Sequence, residues 1–388
     1  MTAAATKAPE LGSPFYGADH DAWRASVRGF VSREIEPFVD AWERERMLPR
    51  DLYRKAAGIG LLQLGFPEEY GGIPGDTFMQ TIATEELCRP AAGGVVASLM
   101  SHGIACPPIV AAGSHELKAR VLPDVLAGSA IAALAITEPS GGSDVANLRT
   151  SARADGDHFI VNGSKIFITS GMQADYFTVA VRTGERGLGG ISLLLIERDR
   201  PGFTRTAQSK MGWHASDTAA LFFDDVRVPR ANLIGEENRG FPAIMHNFNN
   251  ERLSLATMAI ATAQVALDES IAYARTRETF GKRLADHQVI RHKIVDMARQ
   301  IAAARAYRDI LAWRIGRGES PVADVCMLKV QATTVLELCA REAAQIFGGA
   351  SYELGTKVER IYREVRVLAI GGGSEEIMRD LAARQLGI

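Results

Sequence analysis

The chain has 388 residues, of which 47% are hydrophobic and 23% charged, the balance of an ordinary soluble globular protein with room for two or three domains or one large core. A formal net charge of -2 lacks the basic excess of a nucleic-acid binder. No stretch reaches the ~20 consecutive apolar residues that span a bilayer. Met1 to Pro9 has no apolar segment of the secretory kind, so it reads as a frayed terminus and the expected location is cytoplasmic. Cys88, Cys106, Cys326 and Cys339 show neither a C-x-x-C pair nor zinc spacing; they read as reduced core thiols, and no metal site is expected.

In chain order, Ala22 to about Gly128 carries a helical pattern. Trp23, Val27, Phe30, Val31 and Ile35 mark one amphipathic segment, and Leu52, Ala56, Leu61 and Leu62 another. The turn cluster Pro67 to Gly72 separates these from predicted helices over Thr81–Leu87, Val95–Ile104, Pro107–Ala112 and His115–Leu126. Near Ala130 the texture changes. Asp155-Gly156-Asp157 and Asn162-Gly163 bracket the apolar run His158 to Val161, and Lys165 to Ile168 follows. The Asn-Gly pair is the strongest short-range signal for a hairpin. Further strand-like runs lie at Tyr176–Val181, Ile191–Ile196, Ala219–Phe223 and Val226–Val228. After Pro242 the helical period returns over Ala256–Thr276, Gln288–Ile315, Pro321–Phe347 and Leu354–Leu368, with a short last helix from Ser374. The fold class is therefore α+β multidomain. An N-terminal α-helical domain is expected over 1–129, a middle antiparallel β-barrel-like domain over 130–239, and a C-terminal four-helix bundle over 240–388.

Glu251 and Arg252 fall on or beside an apolar helical stripe (Phe241, Met245, Phe248, Leu255, Ala259, Ala263 and Ala266), where solvated charges are not expected. Neighbouring helical positions point about 100° apart, so the two do not simply face each other. Five other stretches could carry chemistry: Leu134 to Asp144, Lys165 to Gly171, Arg277 to Gly281 with His287-Gln288, Gln345 to Gly349, and Gly371 to Ser374. Each alone has a structural reading as a turn, a strand end or a glycine cap. Ser374 is placed as an N-cap, whose free N–H groups suit an anionic or carbonyl oxygen. Neither a Rossmann G-x-G-x-x-G nor a P-loop occurs.

Taken together and in this order, the motifs resemble the acyl-CoA dehydrogenase family of flavoproteins from about Ala22 to the C-terminus. They are Ala135-Ile-Thr-Glu-Pro-x-x-Gly-Ser-Asp144, Asn162-Gly-Ser-Lys-x-x-Ile-Thr169, Lys210-Met-Gly212, Glu251-Arg252, Arg277-x-x-Phe-Gly281, Gln345-x-x-Gly-Gly349 and Gly371-Gly-Gly-Ser-Glu-Glu-Ile377. The resemblance implies helical, β-barrel-like and helical domains, a homotetramer, and one non-covalent FAD per subunit. It implies acyl-CoA as substrate and electron-transfer flavoprotein as electron acceptor. By position, Leu134, Ile136, Thr137, Gly142, Ser143, Phe167, Ile168 and Thr169 match the wall against the flavin ring, with Phe167 replacing the family's usual tryptophan. Arg277, Thr279, Phe280, His287 and Gln288 match contacts near the FAD pyrophosphate. Gln345, Ile346, Gly348 and Gly349 match a segment that the family takes from a neighbouring subunit. Ser374 and Glu376 match the last flavin-contacting turn. Ser143, Asn249, Arg252, Gly372 and Gly373 are expected to contact the substrate.

Most of the family places its catalytic glutamate just before the Gly-Thr/Ser of the last motif, and that position here is Gly372. A minority, including the long-chain and isovaleryl-type enzymes, carries it on the first helix of the C-terminal bundle before an arginine, where this chain has Glu251-Arg252. Glu251 is thus the expected base, Gly372 N–H the expected donor to the thioester oxygen, and the glycine is expected to leave room for branched or bulky acyl groups. Two other readings stay open: an O₂-using oxidase or monooxygenase on the same fold, and a non-catalytic scaffold that binds CoA esters.

Overall fold

The computed structural model describes residues 14–388, with only the backbone path given for residues 245–249. Met1 to Pro9, and the Met245, Phe248 and Asn249 side chains, lie outside the described residues.

Helices α1 (Ala18–Glu34), α2 (Val39–Glu45), α3 (Asp51–Ala57), α4 (Thr77–Leu87), α5 (Gly93–Leu99), α6 (His102–Ala105), α7 (Pro107–Ala112) and α8 (His115–Leu126) form the first layer. Their starts follow side-chain chemistry: Asp76 accepts the N–H of Met79 at α4, and Ser114 that of Leu117 at α8. The α1 stripe predicted from spacing is the buried one, with Val27, Phe30 and Val31 facing inward.

Strands β1 (Ala132–Ala135), β2 (Ser151–Asp155), β3 (His158–Thr169), β4 (Tyr176–Arg182), β5 (Ile191–Glu197), β6 (Phe203–Ala207), β7 (Thr218–Pro229) and β8 (Leu233–Ile234) make one sheet in the order β6-β7-β3-β2-β4-β5-β8, with β1 beside β4. The pairing is antiparallel except that β1 runs parallel to β4 and β2 touches β4 in parallel through Ser151 and Arg182. The strand β1 enters from the helical layer rather than through a hairpin, so nothing forces it to oppose its neighbour.

The predicted Asn162-Gly163 hairpin is not there. The tight turn is at Asp155 to His158, and β3 runs straight through Asn162-Gly163 with a register shift against β7. Gly163 sits at φ +140°, where a Cβ would come within 2.7 Å of Thr150 Cα. The Asn162 side chain donates to Asp225 and accepts the Asp225 N–H, both at 2.9 Å. Here the pair pins a bulge to the facing strand instead of closing a turn.

The C-terminal layer comprises α9 (Gly240–Thr276), a small flap of β9 (Glu278–Thr279) and β10 (Lys282–Arg283), then α10 (Gln288–Gly316), α11 (Val322–Phe347), α12 (Lys357–Ile370) and α13 (Glu375–Leu386). At 37 residues, α9 is about 55 Å long. One hydrophobic core runs through all three layers, from Phe30 and Leu87 through Phe159 and Phe177 to Ala259, Ile301 and Leu336. The N-terminal and C-terminal layers are also joined by a buried ion network. Arg308 on α10 donates to Glu85 at 2.6 Å and to Asp309 at 2.7 Å, while Glu85 also meets Arg24 of α1 at 2.8 Å. The Tyr16 hydroxyl donates to Asp309 at 3.3 Å.

Among the described residues no single helix is long and apolar enough to cross a membrane. The bent pair Gly93–Leu99 and His102–Ala112 passes that test jointly, but its apolar residues Val95, Leu99, Ala105 and Ile109 are buried in the protein core.

Candidate active site

Three groups of predicted residues emerge. The first lies where β1 and β3 meet. Buried Lys165 donates to the Ile136 carbonyl at 3.0 Å and to Glu138 at 2.8 Å, and Ile166 N–H donates to the Thr137 carbonyl at 2.9 Å. Glu138 also accepts the N–H groups of Arg149 and Thr150, at 2.6 and 2.8 Å. Burial brings the Lys165 ammonium down to about 8, against the pull of Glu138. For Glu138 burial raises the carboxyl, but Lys165 and the N–H donors outweigh it and hold it below its ordinary value. This clamp fixes the Ile136–Glu138 segment; both partners stand in the quoted motifs, but sequence reading gave neither of them a role.

A second bulge in β3, between Lys165 and Ile168, turns Phe167 outward. Phe167 is 65% exposed at φ +61°, and its N–H donates to Gln208 at 2.9 Å. An aromatic residue held in the left-handed region costs on the order of 1–3 kcal/mol and such positions cluster at functional sites. On β1, the segment after it and the end of β3 lie half-buried Leu134, Ile136, Thr137 and Thr169, and exposed Gly142 and Ser143. An apolar shelf with hydroxyls at its edge and an uncovered ring fits a flat aromatic cofactor such as a flavin. Ile168 does not fit the expected role by its side chain, which is 2% exposed in the core; only its backbone is available.

The second group is at the far end of α9. Arg277 caps that helix through its N–H to the Tyr273 carbonyl. His287 approaches the Thr279 hydroxyl at 3.5 Å, and its ring meets Phe280 edge-on at 6.4 Å. Phe280 is 96% exposed at φ +52°. Tyr273 stacks on Phe347 at 4.2 Å, which brings Gln345, Gly348 and Gly349, all exposed like Gln288, to the same end. Ile346 is 4% exposed and belongs to the core, so its side chain is withdrawn from the expected cofactor contact. Among the described residues no hydrogen bond or ring contact joins this group to the first.

The third group surrounds Glu251. The helix α12 ends at Ile370, and Gly371 to Gly373 form the turn into α13, capped by Ser374 accepting the Ile377 N–H. A Cβ on Gly372 would lie 3.4 Å from Glu251 Oε1 and 2.2 Å from Leu255 Cδ1. The Glu251 carboxyl and the main chain of Gly372 therefore face one space, and Leu255 fills the volume that the missing side chain was expected to leave open. Burial pushes the Glu251 carboxyl above its ordinary value, and the charges of Arg252 and Lys329 offset part of that rise. Arg252 is 5% exposed, and its charge acts on Glu251, Cys326 and Lys329. Glu376 is exposed on the first turn of α13. The Asn249 side chain lies outside the described residues.

Lys329 was missed by sequence reading. It is 1% exposed, donates to the Gly371 carbonyl at 2.6 Å, and also donates to the Gly373 carbonyl. Burial brings its ammonium down to about 8, with Glu251 pulling the other way. A signal existed: Lys329 interrupts the helical stripe Val325, Ala332 and Leu336, all buried. A cavity of about 510 Å³ opens at the start of α9, lined by Leu188, Gly189, Asn238, Phe241 and Pro242 among others. Among the described residues no group of three or more His, Cys, Asp or Glu is placed to hold a metal ion.

Comparison with known proteins agrees with this layout. Family models described as acyl-CoA dehydrogenase N-terminal, middle and C-terminal domains match residues 17–129, 133–226 and 238–387. The chain is 36% identical over 390 residues to the mitochondrial long-chain specific acyl-CoA dehydrogenase of Rattus norvegicus, covering 99% of this chain and 90% of that one. The crystal structure of a probable acyl-CoA dehydrogenase from Mycobacterium abscessus superposes with a TM-score of 0.95 at 47% identity, covering 96% and 100% of the two chains. A glutaryl-CoA dehydrogenase from Mycobacterium smegmatis, solved in complex with FADH2, superposes with a TM-score of 0.90 at 28% identity over 96% and 95%. With three consecutive domain matches and full-length relatives, the chain belongs to the acyl-CoA dehydrogenase family of FAD-dependent oxidoreductases.

Proposed function

We propose that this protein converts an acyl-CoA thioester to its trans-2-enoyl-CoA, with Glu251 as the base that removes the α-proton. The observation that carries the reading is the carboxyl oxygen of Glu251 facing the Gly372 main chain. Bound FAD supplies a hydride acceptor for the β-carbon. The protein's own part is to hold the thioester against Gly372, whose N–H donates to the carbonyl oxygen as negative charge develops there, and to take the proton at Glu251. Exposed Phe167 and the shelf around it support flavin binding on one face of the chain. The Arg277–Gln288 and Gln345–Gly349 group, with exposed Phe280, Tyr352 and Leu354 nearby in sequence, supports a homotetramer in which a neighbouring copy completes the FAD site. Electron-transfer flavoprotein is the proposed acceptor, and the proposed location is cytoplasmic. The test is anaerobic bleaching of the flavin by straight, branched and cyclic acyl-CoAs. Bleaching by none of them overturns the reading, and rapid re-oxidation by air with peroxide release would make the protein an oxidase.

The raised Glu251 carboxyl has a kinetic consequence. The base works ionised, so the rate of flavin reduction climbs as pH rises through a value above the ordinary 4.5. Arg252 lowers that value, so Arg252→Met is expected to move the acidic limb to higher pH. The pH profile of single-turnover bleaching reads this directly; an unmoved limb, or one moved down, contradicts it.

Phe167 gives a second prediction. Phe167→Gly relieves the left-handed strain, so the flavin-free protein is expected to melt slightly higher while FAD dissociates more readily. Thermal melting of the apoprotein and a flavin titration measure the two. Unchanged FAD affinity would remove Phe167 from the cofactor wall.

A further inference from the structure

Lys329 is a buried ammonium so far given only an electrostatic pull on Glu251, and its placement is specific. It approaches the turn from α11 and engages the carbonyls on both sides of Gly372, those of Gly371 and Gly373. The Gly371 carbonyl and the Gly372 N–H belong to one planar trans peptide, so they point in opposite directions. Holding the carbonyl therefore fixes the N–H on the side away from Lys329. A hydrogen bond from a cation to that carbonyl also strengthens the N–H as a donor, because bonds in a chain polarise one another.

Other bonds also hold the two ends of this turn. Gly371 N–H donates to the Val367 carbonyl at 2.7 Å, Ser374 caps α13, and Thr333 donates to Glu375 at 3.1 Å. For stability alone, an apolar side chain of similar length would avoid the desolvation of a buried charge. We propose that Lys329 is a positioning residue for the dehydrogenation, clamping the carbonyls of Gly371 and Gly373 so that the Gly372 N–H is aimed and polarised toward the thioester oxygen. The inference rests on the acyl-CoA reading above and adds the group that organises its oxygen-binding donor. Lys329 touches neither substrate nor flavin in this role.

The test uses the FAD-loaded protein with Lys329→Met, which keeps length and removes the charge, and Lys329→Gln, which keeps one donor. Two readouts separate aiming from mere scaffolding: the carbonyl stretch of a bound acyl-CoA in vibrational difference spectra, and affinity for a thioester against the alkyl thioether that lacks the oxygen. In wild type the carbonyl stretch falls on binding. In Lys329→Met most of that fall is lost, kcat drops by about 10- to 100-fold, thioester affinity weakens by roughly 3- to 10-fold and thioether affinity stays within about 2-fold; the glutamine variant lies between. Should the methionine variant lose its flavin, the glutamine variant carries the comparison. A wild-type carbonyl shift in the variant tested overturns the proposal, as does equal loss of thioester and thioether binding. Wild type that no acyl-CoA bleaches defeats the parent reading instead, whereas normal wild type with an unaffected variant defeats only the role of Lys329.

Discussion

Glu251→Gln is expected to keep the fold and its FAD while slowing flavin reduction by acyl-CoA by roughly 10²- to 10⁴-fold, the range for loss of a positioned general base. The amide is nearly the same size and cannot accept the α-proton. Stopped-flow bleaching under argon measures the effect, and a wild-type rate in the variant would rule Glu251 out as the base. A companion experiment moves the base to the turn. Gly372→Glu alone meets Leu255 Cδ1 at 2.2 Å from its Cβ and must take φ +65°, so it is expected to rescue Glu251→Gln poorly. With Leu255→Ala added, the new carboxyl enters the space that Glu251 faces, and recovery is expected. Rescue by the single change would contradict the obstruction by Leu255, and no rescue by the combination would show that the two positions do not share one reaction centre.

Arg308→Ala is expected to destabilise the protein by about 3–5 kcal/mol, the cost of leaving partners of a buried ion network uncompensated. Arg308 is 1% exposed and joins Glu85 of the first layer to Asp309 of the third. Loss of the guanidinium strands Glu85 with Arg24 as its remaining partner. For Glu85 burial raises the carboxyl, but Arg308 and Arg24 outweigh it and leave a net lowering. The wild-type stabilisation from that carboxylate is therefore present above its unfolded value and is lost as pH falls through the lower folded one. Thermal unfolding at neutral and acid pH checks both points. A variant that melts like wild type, or a wild type that gains stability on acidification through that window, contradicts the account.

The order of helical layer, sheet and helical layer was readable from periodicity because those residues answer to one-dimensional rules. The α1 stripe, the four long C-terminal helices and the Ser374 cap stand where spacing predicts them. Asn162-Gly163 shows where such rules stop: the same dipeptide serves a hairpin or a bulge, and Thr150 and Asp225 across the sheet decide between them. At the site, Glu251 was found as a charge on an apolar stripe. Lys329 was missed and Leu255 was read only as part of that stripe, because the groups they meet lie in the turn after α12, far away in sequence. Ile168 and Ile346 show the converse. Each belongs to a motif that points to the cofactor, yet alternation along β3 and the pitch of α11 turn its side chain into the core.

The helix α9 runs without a break from the cavity mouth at Phe241, past Glu251 and Leu255, to the flap beyond Thr276. Its two ends are thus locked in phase like marks on a threaded rod. One residue inserted or removed between Leu255 and Arg277 would advance the flap by about 1.5 Å and rotate it by about 100° relative to the carboxyl. Drift in this stretch is consequently confined to exchange of side chains at constant length.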